Sequence, residues 1–98
     1  FSYEIIIENK SSHVVQLLRR HWIIFDSIGS VHEVEGEGVV GAQPILRPGE
    51  KFKYQSWCPL NTEVGKMHGT FLMHRSDNEE KFKVYIPEFH LICPARMS

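Results

Sequence analysis

Helical periodicity is nearly missing from this sequence, and so are several signals that would mark common classes of protein. Cysteine is scarce, with two residues, Cys58 and Cys93. Such a pair closes at most one bridge, short of the framework that staples small secreted domains. It reads as two reduced thiols in a cytoplasmic protein. Positive charge is not in excess: 11 Lys and Arg stand against 12 Asp and Glu, for a net charge of −1. That balance withholds the basic face that DNA or RNA requires, so no nucleic acid is expected as a partner. No apolar run approaches the roughly 18 residues of a membrane-crossing helix. The opening run FSYEIIIEN reads as a strand rather than as a signal peptide.

What is there is alternation. The chain has 98 residues with a 42% hydrophobic fraction, which reads as a single domain over residues 1–98. A chain of that length buries roughly 65% of its unfolded surface, enough for a core without metal or disulfide. Residues 1–8 place Phe1, Tyr3, Ile5 and Ile7 on one face, and Asn9, Lys10, Ser11 and Ser12 make a turn. Residues 14–26 are apolar on both faces in places, as in a central strand or two pieces joined by a bulge. Ser27, Ile28, Gly29 and Ser30 are turn chemistry before a strand over 31–37. If those four residues close a hairpin, Asp26 faces Val31, Ile24 faces Glu33, Trp22 faces Glu35 and Arg20 faces Glu37. Ile23, Phe25, His32 and Val34 then share the opposite face.

Residues 36–50 are too long for a structureless loop, and a short strand is expected within 39–46. It ends at Arg47, Pro48, Gly49 and Glu50, where Pro and Gly in the central positions predict a type II turn. Beyond it, Phe52 and Tyr54 point inward, with Lys51, Lys53 and Gln55 outward. Met67, Phe71 and Met73 then oppose His68, Thr70, Leu72 and His74. The inward set is even at Phe82, Val84 and Ile86 and odd at Phe89 and Leu91, so the last strand bends at Pro87, which has no N–H to donate. About seven short antiparallel strands broken by Gly and Pro turns predict an all-β sandwich of the immunoglobulin or fibronectin III-like kind. Trp22 is placed like the core tryptophan of immunoglobulin domains, but both cysteines follow it, so the disulfide of those domains is not expected.

Several motifs carry a resemblance. Arg20, His21 and Trp22, the GEGVVG of residues 36–41, the PILRPGE of 44–50, the YQS of 54–56, the GKMHG of 65–69 and the IPEFHL of 86–91 resemble the bacterial ApaG family in order and spacing across essentially the whole chain. The resemblance implies a fibronectin-like sandwich in a bacterial protein and a family tied to magnesium and cobalt homeostasis. It also implies domains that act as protein-binding modules when fused to F-box and polymerase-associated proteins. It implies no enzymatic activity. It further implies an N-terminal strand preceding the region that matches FSYEII, which is expected to be absent here.

The candidate ligand- or partner-binding residues are Gly36, Gly38 and Gly41, with Arg20, His21 and Trp22. Residues 36–41 spell GxGxxG, which in a dinucleotide fold delivers a pyrophosphate to a helix N-terminus. Here Pro44 obstructs a helix, and Glu35 and Glu37 repel phosphate. The competing reading is turns, bulges or close packing, with a backbone nest for an anion as a third. Trp22 reads either as core or as an exposed anchor ringed by charge. Glu33, Glu35 and Glu37 share a strand face about 6.8 Å apart, too far for one ion, and read as a solvated stripe answered by Arg20. None of the six histidines has the spacing of a zinc motif. Cys58 has no histidine near in sequence to activate its thiol, and Cys93, with His90 three residues before it, reads as an unpaired buried cysteine by default. The expectation is a non-enzymatic interaction module with a protein partner, no metal and no cofactor, contacting that partner through residues 36–49. The alternative is a small ligand, either phosphate or nucleotide at the glycines or a divalent cation.

Overall fold

In the computed structural model, which describes residues 2–57 and 64–92, the alternating segments become strands. These are β1 (Ser2–Glu8), β2 (Val15–Asp26), β3 (Val31–Glu37), β4 (Ile45–Leu46), β5 (Lys51–Trp57), β6 (Val64–Arg75) and β7 (Lys81–Ile92). Among the described residues there is no helix, hence none long and apolar enough to cross a membrane. Phe1, Cys58, Cys93 and the side chain of Leu91 lie outside the described residues.

All pairings are antiparallel. One sheet is β1 with β5; the other runs β3-β2-β6-β7, with β4 joined to one end of β2. The two sheets enclose the core because each presents one apolar face. Tyr3, Ile5, Ile7, Phe52 and Tyr54 come from the smaller sheet; Leu17, Trp22, Ile24, Met67, Phe71 and Met73 come from the larger. Trp22, 1% exposed, lies at the centre. Its indole meets Tyr3, Phe71 and Phe89 with ring centroids 6.0, 5.7 and 6.0 Å away, all near perpendicular. The core reading of Trp22 is the one the structure supports.

Both expected irregularities are present. The β2–β6 register shifts between Leu17 and Arg19. This bulge moves the inward set of β2 from Val15 and Leu17 to Trp22, Ile24 and Asp26. The β6–β7 register shifts where Pro87 and Glu88 together oppose His68. This lets Phe82 and Ile86, then Phe89, all reach the core.

The expected β2–β3 register is wrong by one residue. Phe25 pairs with Val31, Ile24 with His32, Ile23 with Glu33, Trp22 with Val34, His21 with Glu35 and Arg20 with Gly36. The cause is the turn. Asp26 and Ser30 pair through Asp26 N–H to Ser30 O (3.1 Å), leaving a three-residue loop in place of a four-residue one. The Asp26 carboxylate accepts from the N–H groups of Ile28 (3.1 Å) and Ser30 (2.9 Å), and Gly29 takes the left-handed conformation (φ 91°). Trp22 therefore shares its face with Val34, and the expected Arg20–Glu37 side-chain pairing does not form. Instead Arg19 reaches Glu35 (4.0 Å) and His21 reaches Glu33 (2.5 Å) on the outer face.

Asn9, which the sequence places in a turn, is buried and ties three segments together. Its amide donates to His13 O (2.7 Å) and Leu46 O (2.9 Å), and its carboxamide oxygen accepts from Ser11 N–H (3.0 Å). The outer edge of β1 has no partner strand among the described residues. Beside it a groove of about 310 Å³ runs between Ile5 and Ile7 on one side and Phe71, Val84 and Ile86 on the other.

Gly69 sits opposite Trp22. A Cβ there would lie 2.1 Å from His21 O and 2.8 Å from the Trp22 ring. Gly69→Ala should therefore lower stability by about 3 kcal/mol, read as a reduced urea midpoint at unchanged slope. A midpoint within error of the parent would show that the strands separate at no cost. Tyr54 gives a pH signature. Burial, with Tyr3 adding and Arg20 opposing, raises its hydroxyl well above the ordinary tyrosine range of about 10. The unfolded chain loses this proton near pH 10 while the fold keeps it. Stability from this group is thus intact below about pH 10 and falls as pH rises above it. Among the described residues the hydroxyl has no hydrogen-bond partner, so Tyr54→Phe should cost little at pH 7 and should flatten the alkaline decline in a pH series of urea titrations.

Candidate functional site

The segment from Gly36 to Glu50 is built around Arg20 and the bulge next to it. The bulge leaves the carbonyl of Leu18 free of the β2–β6 ladder, and it accepts from Gly38 N–H (2.8 Å) and from the Gln43 side-chain amide (3.0 Å). Leu17 N–H donates to Pro44 O at 3.1 Å. Arg20 Nη1 donates to the carbonyls of Glu37 and Gly38, both at 3.0 Å. Gly36, directly opposite Arg20, leaves room for the guanidinium, whose atoms would stand 3.1–3.3 Å from any Cβ. Arg20 thus anchors backbone carbonyls rather than answering the acidic stripe of β3.

The glycines then make a small hairpin. Val39 and Ala42 exchange both backbone hydrogen bonds, at 2.8 and 2.9 Å. The two residues between them both have positive φ, Val40 at 45° and Gly41 at 80°, the signs of a type I′ turn. Gly38 (φ 63°) passes so close to the returning strand that a Cβ would lie 2.2 Å from Ala42 O. Val39 is fully buried as a plug in the core, whereas Val40 is 53% exposed at the tip. The type II turn is present as expected, with Glu50 N–H to Arg47 O at 3.0 Å and Gly49 at φ 85°.

Of the six candidate residues, the structure brings Arg20, Gly36 and Gly38 into contact and puts Gly41 at the tip. It separates the other two: His21 lies on the outer face with Glu33, and Trp22 is in the core. No helix follows Gly41; β4 does. The N–H groups of Gly38, Val39 and Ala42 are already spent on carbonyls. Among the described residues, no group of three or more His, Cys, Asp or Glu is placed to hold a metal ion. Leu18, Gln43 and Val40 went unnoticed in the sequence. The excess of apolar residues on both faces of β2 hinted at Leu18, and nothing in composition or spacing pointed to Val40.

Because Gly38 combines a left-handed backbone with a backbone contact, Gly38→Ala should cost about 2–4 kcal/mol. Gly36→Ala meets only the movable end of Arg20 and should cost clearly less. Chemical denaturation of both variants tests this, and equal losses would count against the close approach at Gly38.

Comparison with known proteins agrees with this geometry. The family model for the ApaG domain matches residues 1–75. Protein ApaG of Paramagnetospirillum magneticum is 51% identical over 94 residues, covering 96% of this chain and 72% of that protein. Protein ApaG of Acidithiobacillus ferrooxidans is 53% identical over 91 residues, covering 93% and 71%. The crystal structure of a Bordetella pertussis protein described as ApaA, 48% identical, superimposes with a TM-score of 0.90 over 95% of this chain and 75% of that one. The chain belongs to the ApaG family.

Proposed function

We propose that this chain is a non-enzymatic protein-binding module and that its contact surface centres on residues 36–49. The observation that carries the reading is Val40. A β-branched residue at φ 45° is held in a conformation such residues avoid, with its side chain turned to solvent. Strain of this kind persists where the surroundings over-determine it, and it concentrates at recognition sites. Here the surroundings are the paired hydrogen bonds of Val39 and Ala42 and the Arg20 anchor below. Ile45, 59% exposed, adds a second apolar side chain to the same segment. A rigid tip with apolar side chains can meet a partner without an ordering cost.

The reading extends to two wider points. The link to magnesium and cobalt homeostasis enters as the setting in which such a partner would act, and the scarcity of cysteine supports a cytoplasmic location. The further N-terminal strand that the family resemblance implies would, in this reading, pair with the edge of β1 that has no partner strand among the described residues.

Val40→Asn separates binding from folding. Asn followed by Gly is the preferred pair for this turn, so the variant should be more stable by about 1–2 kcal/mol. It should also lose a stoichiometric partner that the parent chain captures from cell extract. Undiminished capture by the stabilised variant would remove Val40 from the contact surface. Amide shifts confined to residues 36–41 on addition of Mg²⁺, Co²⁺ or nucleotide would favour a small ligand instead.

A further inference from the structure

The outward face of β2, on the other side of the strand from the Arg20 anchor, carries a second arrangement. The pairing registers set Glu37, Arg19, Leu72 and Lys83 in one row across β3, β2, β6 and β7, and Glu35, His21 and Thr70 in the next. Between these rows is a hollow of about 130 Å³, and Arg19, His21, Glu35, Thr70, Leu72 and Lys83 are among the residues lining it. A pleated sheet face is ordinarily filled by its own side chains. Here Thr70 and Leu72 are shorter than their neighbours in β2 and β7, so the long side chains of Arg19 and Lys83 stand over a depression. Their backbones are two strand spacings apart, about 10 Å, a span both can close upon.

The charge around the hollow is under-committed. Among the described residues Lys83 has no carboxylate within ion-pairing distance, and Arg19 meets Glu35 only at the outer limit, 4.0 Å. His21 is held by Glu33, which fixes its ring at the rim. Thr70 offers a hydroxyl, and Leu72 gives the hollow an apolar floor that strengthens charge interactions above it.

We propose that this hollow binds a single oxyanion group, a phosphate or a carboxylate, between Arg19 and Lys83. Arg19 exchanges its distant contact with Glu35 for charge-assisted hydrogen bonds to the ligand, and the exposed Glu35 side chain turns to solvent. Thr70 donates from below. Arg20 also borders the hollow, but the proposal rests on Arg19 and Lys83 and not on a partner contact at residues 36–49.

The test is an amide-shift titration of the 98-residue chain with inorganic phosphate and, separately, with sodium acetate, each against sodium chloride at matched ionic strength. Saturable shifts at Arg19, His21, Thr70, Leu72 and Lys83 are expected. Arg19→Gln and Lys83→Gln should each weaken binding at least about tenfold, and Glu35→Gln, which removes the competing carboxylate, should tighten it. Saturation by phosphate alone assigns a phosphate ligand; saturation by both assigns a site that also takes the carboxylate of an acidic side chain. Shifts no larger than those with chloride, or shifts indifferent to all three substitutions, would overturn the proposal.

Discussion

The edge-to-face cluster around Trp22 is the constraint on which the rest of this fold depends. Its indole sits on the central strand of the larger sheet and touches rings from the smaller sheet, from β6 and from β7. Such pairs each contribute about 0.5–1.5 kcal/mol beyond simple burial, and the geometry they prefer is specific. That specificity propagates. Gly69 must lack a side chain so that the ring can lie over it, the bulge before Arg19 must set the parity of β2 so that the ring points inward, and the bulge at Pro87 must return Phe89 to the same face.

The same bulge also organises the surface. By adding a residue at Leu18, it sends Arg20 to the inner side of the strand, and Arg19 and His21 to the outer side. One arginine then holds the glycine hairpin by its carbonyls, while its neighbour stands among the acidic side chains of β3. A single irregularity in one strand thus separates a structural cation from a solvent-facing one. The glycines of residues 36–41, which spell a phosphate-binding pattern, serve this hairpin instead. Gly36 gives room to a guanidinium, Gly38 to a passing carbonyl, and Gly41 completes a turn of left-handed residues.

Much of the fold is legible in the sequence because side-chain alternation is a local property. The inward residues of β1, β5 and β6 and the bend at Pro87 all follow from parity. The register of β2 against β3 does not, because three- and four-residue loops draw on the same turn residues. What decides between them is the Asp26 carboxylate, which caps two N–H groups inside the turn and so selects the shorter loop. A slip of one residue exchanges the faces of a whole strand, so the mistaken pairing also misplaced the neighbours of Trp22 and Arg20. The burial of Asn9 is illegible for a related reason. Its partners, His13 O and Leu46 O, include one far along the chain, and backbone carbonyls leave no mark in a sequence.

The pairing of β1 with β5 carries a consequence for how the chain reaches this state. Ser2 opposes Trp57 and Glu8 opposes Lys51, so neither strand of the smaller sheet finds its mate through a hairpin. The larger sheet, by contrast, contains two such hairpins, β2 with β3 and β6 with β7. Closing the long intervening chain costs entropy before any contact is gained. Loop closure therefore favours the larger sheet as the nucleus, with the pairing of β1 and β5 completed upon it.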